Sequence, residues 1–207
     1  ALRAWVRAHR PAIDANPAAW CALELALVDL IAKRNGQTVD ALLGLPALSG
    51  SFSYTAVIGD ASPRRFDAEL GRYLETGLRD FKIKLSGDAA KDKAKVAALK
   101  AAGVDPASVR ADANNLWTDA ERAIHFISAL DFPFNALEEP LRAGDIEGMQ
   151  RIADALACSI VLDESLLRCA QLDRLADSRA RWIVNLRVSK MGGLLRSLEL
   201  LAAARAT

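Results

Sequence analysis

The feature that most constrains the fold of this chain is a repeated alternation of short apolar runs with helix-like segments after residue 50. Strand-like runs are predicted at 51–59, 80–85, 108–113, 135–139, 159–164 and 182–188. Helices are predicted at about 63–78, 88–102, 118–130, 145–157 and 168–178, and from about 193 to the end. Consecutive β-α units with right-handed crossovers imply a parallel sheet, either open and doubly wound or closed into a barrel.

The region before the alternation has a different pattern. Residues 17–46 predict one long helix with an apolar periodicity, a break at Asn35-Gly36 and a short second helix. This part of the chain is therefore predicted to be helical and to precede the β-α units.

Ionisable residues recur once per β-α unit, near the C-terminal end of each strand from the second to the sixth. These residues are Lys84, Asp112, Glu138, Asp163 and Arg187. In an open sheet such groups would spread along one edge, whereas in a (β/α) barrel they converge on one mouth, where barrel enzymes keep their active sites. The pattern favours an α/β fold of the TIM-barrel type.

The second strand, "FKIKL" at 81–85, alternates apolar and basic residues. Successive strand side chains point to opposite faces, so Lys82 and Lys84 share one side, and we expect that side to face the barrel mouth. Two lysines desolvated side by side lower each other's pKa, which makes one of them a usable base near neutral pH.

Three carboxylates at adjacent strand ends would repel one another unless a cation lay between them. Oxygen ligands without His or Cys favour a hard divalent ion, Mg²⁺ or Mn²⁺. A lysine base beside such an ion suits removal of a proton α to a carboxylate, with the ion stabilising the enediolate that results.

Composition excludes several other classes of protein. The 27 basic and 26 acidic residues leave a net charge of +1, so neither nucleic acid nor a membrane surface is an expected partner. No apolar run approaches a membrane span, and no signal peptide is recognised. Three widely spaced cysteines suit a reducing cytoplasm, where we expect the protein to reside. The basic run at 91–100 is interpreted as a solvated helix face.

Five motifs in order resemble the enolase superfamily, and within it the muconate-lactonizing subgroup. They are "KIK" at 82–84, "DAN" at 112–114, "EEP" at 138–140, "DES" at 163–165 and "NLRVSKMGG" at 185–193. The resemblance implies a partial (β/α) barrel, strands 1–6 of a modified (β/α)7β barrel. It assigns residues 1–47 to the C-terminal helical part of an α+β capping domain and 48–207 to the barrel domain, incomplete at its C-terminal end.

The resemblance also implies roles for individual residues. Three residues are the implied ligands of Mg²⁺ or Mn²⁺: Asp112, Glu138 and Asp163. Lys84 is the implied base, and Lys82 is the neighbour that lowers its pKa and contacts the substrate carboxylate. Asn114 and Glu164 are implied to orient the ligands and the lysines.

One position departs from the family pattern. The sixth strand of the family normally offers a second lysine that faces the first, and Arg187 occupies the matching position here. Alternation predicts that Arg187 faces the mouth, with Lys190 in the turn before Gly192-Gly193. Arginine stays protonated and makes a poor base, which favours chemistry with one base. The alternative is that Lys190 reaches in as the second base.

These inferences predict an isomerase or lyase acting on a small substrate that bears a carboxylate, most simply a cycloisomerase. The alternatives are a dipeptide epimerase or an N-acylamino-acid racemase, and, from another class, a non-catalytic relative that binds a metal or ligand. The chain lacks the family's N-terminal capping sheet and last two strands, so we expect a piece of a longer polypeptide. Exposed sheet edges further predict a homo-oligomer.

Overall fold

The structure is a computed structural model that describes residues 1–175 and 181–206. It contains a parallel sheet of six strands in which each strand pairs with the next one along the chain. The strands are β1 (Thr55–Ile58), β2 (Asp80–Lys84), β3 (Val109–Asp112), β4 (Ala136–Glu138), β5 (Ser159–Leu162) and β6 (Trp182–Val184). This order confirms the predicted α/β fold, because consecutive neighbours are the arrangement of a (β/α) barrel.

Helices precede the sheet and separate its strands. They are α1 (Leu2–Ala8), α2 (Arg10–Ala15), α3 (Pro17–Arg34), α4 (Val39–Leu43), α5 (Pro63–Glu75), α6 (Ala89–Ala101), α7 (Ala120–Ser128), α8 (Ile146–Leu156), α9 (Val188–Met191) and α10 (Leu194–Ala206). Short 3-10 helices cover Pro106–Ser108 and Cys169–Leu175. None of the described helices combines the length and the apolarity that crossing a membrane requires.

Aspartates fix the start of three helices that follow strands. Asp88 accepts hydrogen bonds from the backbone N–H groups of Ala90 and Lys91, and Asp119 accepts one from Arg122. Asp145 does the same for Gly148 at the start of α8. Each carboxylate satisfies N–H groups that have no partner within the first turn, so these aspartates set where each helix begins.

The chain divides into two compact units. The first, here called the sheet unit, comprises Phe52–Leu166 and the described residues of Arg174–Asn185, and it holds all six strands. Its core includes the fully buried Phe81, Ile83 and Leu137, which the strand register places on one face of the sheet. β4 and β5 are buried at every position, whereas β1 and β2 alternate between buried and more exposed residues.

The second unit, here called the helical unit, comprises Ala1–Ser51, Leu167–Asp173 and the described residues of Leu186–Thr207. Val6, Ile13 and Leu195 form one of its buried clusters. Glu24 on α3 is completely buried, and it accepts hydrogen bonds from the Leu195 N–H and from Trp20 Nε1 at 2.9 and 3.1 Å. The carboxylate thereby satisfies an N–H group at the start of α10.

The predicted end of the sixth strand is wrong. β6 ends at Val184, Arg187 is the residue before α9, and Lys190 lies inside α9 rather than in a turn. The alternation that assigned Arg187 to the mouth therefore does not apply, because Val188 already begins a helix. The sequence pattern also missed α1 and α2. Of the helix predicted at 168–178, the last three residues lie outside the described part of the chain.

Candidate active site

The ends of three neighbouring strands lie side by side in the sheet unit. Lys84 is the last residue of β2, Asp112 of β3 and Glu138 of β4. The strand register pairs Lys84 with Asp112 and Asp112 with Glu138. Side chains at equivalent positions of adjacent parallel strands point the same way, so the register brings one lysine and two carboxylates together.

Both lysines of β2 form ion pairs with these carboxylates. Lys82 Nζ lies 3.0 Å from Asp112 Oδ2 and 2.9 Å from Glu138 Oε2. Lys84 Nζ lies 2.8 Å from the same Asp112 oxygen. The carboxylates are buried, with Asp112 1% and Glu138 3% exposed. The lysine face of β2 therefore faces the carboxylates, as the sequence predicts.

The ion pairs shift the pKa values of the groups that form them. Burial alone would raise the pKa of Asp112, but the hydrogen bonds and charges of Lys84 and Lys82 outweigh it, so this pKa lies below its ordinary value. Burial alone would lower the pKa of Lys82, but Glu138 and Asp112 outweigh it and raise this pKa. The predicted mutual lowering between lysines is thus wrong for Lys82, because its nearest charges are carboxylates.

Asn114 links Lys84 to the end of β3. Lys84 Nζ donates a hydrogen bond to Asn114 Oδ1, and the Asn114 N–H donates to Asp112 Oδ1 at 3.1 Å. Asn114 has a φ of 45°, in the left-handed region that asparagine tolerates better than most residues. The side chain predicted to orient a lysine is therefore in direct contact with it.

Asp163 and Glu164 follow β5 directly. Asp163 is 2% exposed, and its N–H donates to Glu139 Oε1 at 2.7 Å. Glu164 is half-buried. The buried position of Asp163 at the end of β5 agrees with the predicted row of strand-end carboxylates.

Glu139, the second glutamate of "EEP", is a residue whose function the sequence analysis missed. It is completely buried and accepts hydrogen bonds from the N–H of Asp163 and from the N–H and Oγ of Ser165 at 2.6–2.7 Å. Burial raises its pKa. Glu139 therefore fixes the backbone that carries Asp163, while the preceding Glu138 side chain faces the lysines. Two adjacent glutamates in "EEP" are the sequence feature that could have indicated a role for Glu139.

Asn185 is a second missed contact. Its Nδ2 donates a hydrogen bond to Glu138 Oε1 at 3.4 Å, whereas Lys82 contacts the other oxygen, Oε2. Asn185 follows β6, so a polar group from this strand also reaches the carboxylate cluster. The sequence analysis assigned the sixth-strand contribution to Arg187 instead.

Arg187 and Lys190 belong to the helical unit. Both are half-buried, and the Lys190 carbonyl accepts a hydrogen bond from Arg168 Nη1 at 3.4 Å. Their predicted roles at the mouth stay predictions.

Among residues 1–175 and 181–206, no group of three His, Cys, Asp or Glu side chains is gathered closely enough to hold a metal ion. Two of the predicted ligands, Asp112 and Glu138, nevertheless lie within 3.0 Å of one ammonium nitrogen, that of Lys82. Asp112 and Glu138 are thus two buried carboxylates that share one cationic partner, and their oxygens are donors of the kind that Mg²⁺ prefers.

Comparison with known proteins identifies the family. Residues 65–207 match the family described as enolase C-terminal domain-like. The chain belongs to this family. The membership confirms the resemblance that the five motifs indicated, and it confirms that the six strands are part of a TIM-type barrel.

The relatives of this enolase-like chain are isomerases. It is 33% identical over 207 residues to a hydrophobic dipeptide epimerase of Roseobacter litoralis, covering 98% of this chain and 58% of the relative. It is 27% identical over 198 residues to a chloromuconate cycloisomerase of Cupriavidus pinatubonensis, covering 95% and 53%.

Solved structures agree with this assignment. The enolase-like chain superposes with a TM-score of 0.75 on a mandelate racemase/muconate lactonizing protein from Paracoccus denitrificans that was crystallised with magnesium. The two are 28% identical, and the match covers 92% of this chain and 54% of the other. The chain spans about half the length of the curated relatives it matches.

Proposed function

We propose that the protein removes a proton from the carbon α to a carboxylate with the help of a divalent cation, as an isomerase or lyase. The observation that carries this proposal is the cluster in which Lys82 and Lys84 share the buried carboxylates of Asp112 and Glu138. A base, a second cation and oxygen ligands within one cluster are the groups that such a proton transfer requires.

The residues that would hold Mg²⁺ are Asp112, Glu138 and Asp163. When bound, the ion would neutralise the negative charge that develops on the substrate carboxylate. The relative from Paracoccus denitrificans, which was crystallised with magnesium, supports this choice of ion. The carboxylates that would hold the ion are paired here with the ammonium groups of Lys82 and Lys84, which are the groups proposed to contact the substrate.

Lys84 is the proposed base. In its neutral form the Nζ lone pair accepts the α-proton, and the electron pair of the broken C–H bond stays on the substrate. Asn114 Oδ1 accepts a hydrogen bond from Lys84 and so restricts where Nζ can lie. Lys82, which forms ion pairs with both Asp112 and Glu138, is proposed to bind the substrate carboxylate.

Cycloisomerisation is the proposed reaction, because one base suffices and the arginine at position 187 is a poorer base than the lysine it replaces. Epimerisation of a dipeptide is the second candidate, and the identity of 33% to a hydrophobic dipeptide epimerase favours it. Epimerisation inverts a stereocentre and therefore needs a second proton carrier, for which Lys190 is the proposed group. A metal- or ligand-binding relative without catalytic activity is the alternative from another class.

The proposed setting is a homo-oligomer in the cytoplasm. All three cysteines, Cys21, Cys158 and Cys169, are free thiols, which supports a reducing compartment.

Solvent deuterium exchange tests the proposed function. The protein is incubated in D₂O with Mg²⁺ and either L-alanyl-L-phenylalanine or muconolactone, and deuterium at the carbon α to the carboxylate is followed by NMR. We expect exchange into one of the two compounds that depends on Mg²⁺ and is lost with EDTA. Mg²⁺ binding without exchange into either compound would favour the non-catalytic alternative.

A further inference from the structure

A buried ion pair contacts the backbone of Lys84, the proposed base. It lies in the segment 91–100, which was interpreted from the sequence as a solvated helix face. Asp92 and Lys95 on α6 are 0% and 1% exposed, and their side chains lie 2.8 Å apart. The solvated-face interpretation is wrong for these two residues. A fully buried ion pair is costly unless its remaining hydrogen-bonding groups are satisfied, so the partners of this pair need an explanation.

Asp92 binds the loop that follows β2. Its two oxygens accept hydrogen bonds from the Ser86 N–H at 3.0 and 3.1 Å, from Ser86 Oγ at 2.9 Å and from the Gly87 N–H at 3.0 Å. Charge-assisted bonds of this kind are stronger than neutral ones. The carboxylate therefore holds the backbone two and three residues after Lys84.

Lys95 binds Lys84 itself through the backbone. Its Nζ donates to the Lys84 carbonyl at 2.7 Å, to Asp92 Oδ1 at 2.8 Å and to Asp60 Oδ1 at 2.8 Å. An ammonium group has three N–H donors, so these partners satisfy all of them. Asp60 lies in the loop after β1, so the contacts of Lys95 join the carboxyl ends of β1 and β2.

We propose that the Asp92–Lys95 pair is a positioning device for Lys84, which fixes the backbone of the proposed base between β2 and α6. This inference rests on the proposed role of Lys84. The pair contacts the carbonyl of Lys84 and the two N–H groups that follow Leu85, while Asp112 and Asn114 contact the Lys84 side chain from the opposite end. Lys84 is thus held both through its backbone and through its side chain.

Lys95→Met tests the device, because methionine keeps the length and loses the charge. With the compound into which the wild-type protein incorporates deuterium, we expect the kcat for exchange to fall by about 10²-fold with KM and Mg²⁺ affinity unchanged, since a small misplacement of a base costs this much. Lys93→Met, an exposed position on the same helix, is the matched control and should keep the wild-type kcat.

The double variant Asp92→Leu/Lys95→Met separates positioning from stability. Replacing a buried ion pair with apolar residues of similar volume generally preserves folding, so this variant should fold and show the same loss of kcat. A folded Lys95→Met or double variant with the wild-type kcat would overturn the proposal.

A measurement on the wild-type protein completes the test without depending on activity. In hydrogen-deuterium exchange we expect the Ser86 and Gly87 amides to be protected. Exchange of these amides at the rate of an unstructured peptide would overturn the proposed positioning device. Lys84→Ala is assayed in parallel. If Lys84→Ala keeps full activity, the proposed base is wrong, whereas an inactive Lys84→Ala beside a fully active Lys95→Met rejects only the positioning role.

Discussion

At the scale of single residues, the proposed chemistry depends first on Lys84. Lys84→Ala removes the base but none of the proposed metal ligands, so we expect deuterium exchange to fall by about 10²–10⁴-fold or more. Mg²⁺ affinity, measured by calorimetry, should stay close to that of the wild type. Lys93→Ala on α6 is the control for loss of one lysine charge. Full exchange activity in Lys84→Ala would show that another group is the base.

The ion pairs of the site also predict how stability depends on pH in protein kept free of metal with EDTA. The pKa of Asp112 is lowered in the folded protein, so its contribution is present above the unfolded value of about 4 and is lost as pH falls through the folded value. The pKa of Lys82 is raised, so its contribution is present below about 10.4 and is lost as pH rises through the folded value.

We therefore expect the free energy of unfolding, measured with urea, to be highest between these limits and to fall at both ends. In Asp112→Asn the fall on the acid side should be shallower than in the wild type. An unchanged acid limb in this variant would mean that Asp112 does not carry the paired charge.

The sequence predicted some of these residues and missed others for a physical reason. Lys84, Asp112 and Glu138 end strands that repeat along the chain, so their spacing alone places them side by side. Asp92 and Lys95 occupy a strongly charged helix, and no spacing rule tells which charges are buried. The burial of Lys95 involves Asp60, 35 residues away in the loop after β1, which only the folded chain brings within reach.

At the scale of elements, the strands β1–β5 and the helices between them were predictable because apolar runs mark the strands and apolar periodicity marks the helices. The segment after β6 was not. Its residues alternate in polarity as a strand would, yet Val188–Met191 form a helix that ends at Gly192 with a φ of 78°. The two glycines allow the left-handed turn that ends this short helix, so strand alternation cannot be used to assign the orientation of Arg187.

The next residue, Gly193, offers a test of how α10 is attached to α3. Gly193 has a φ of 107°, and a Cβ there would lie 2.6 Å from Glu24 Oε2. Gly193→Ala combines backbone strain with a clash against a buried carboxylate, so we expect a loss of about 2–4 kcal/mol in the free energy of unfolding.

Gly36→Ala is the matched control for Gly193→Ala. Gly36 has a φ of 64° and no atom within 4 Å of an added Cβ, so this substitution should cost only about 1 kcal/mol. Urea unfolding of both variants gives the comparison. Equal losses in the free energy of unfolding would mean that a Cβ at position 193 does not clash with Glu24.

At the scale of the whole molecule, family membership establishes the fold but does not decide between the candidate reactions. That choice depends on whether a second base lies in the motif after β6. Arg187 and Lys190 lie beyond the end of β6, in the motif "NLRVSKMGG", whereas Lys82 and Lys84 lie within β2. Relatives named as cycloisomerases and as epimerases match over nearly the same length of this chain. The stereochemistry of exchange separates the two reactions, because inversion at carbon requires proton carriers on both faces of the substrate.

We expect proton exchange on one face only. Arginine is a poorer general base than lysine, so we expect Lys84 to act alone. If the dipeptide is the compound that exchanges, L-alanyl-L-phenylalanine and L-alanyl-D-phenylalanine are given separately in D₂O. The protein should then exchange the α-proton of one and leave the other unlabelled, as read by NMR.

Exchange into both diastereomers at similar rates would contradict this expectation and indicate Lys190 as the second base. In that case Lys190→Met should abolish exchange into one diastereomer and leave exchange into the other. Arg187→Lys is the complementary variant. It restores the residue usual in the family, and if position 187 faces the substrate it should create exchange on the second face where the wild type shows none.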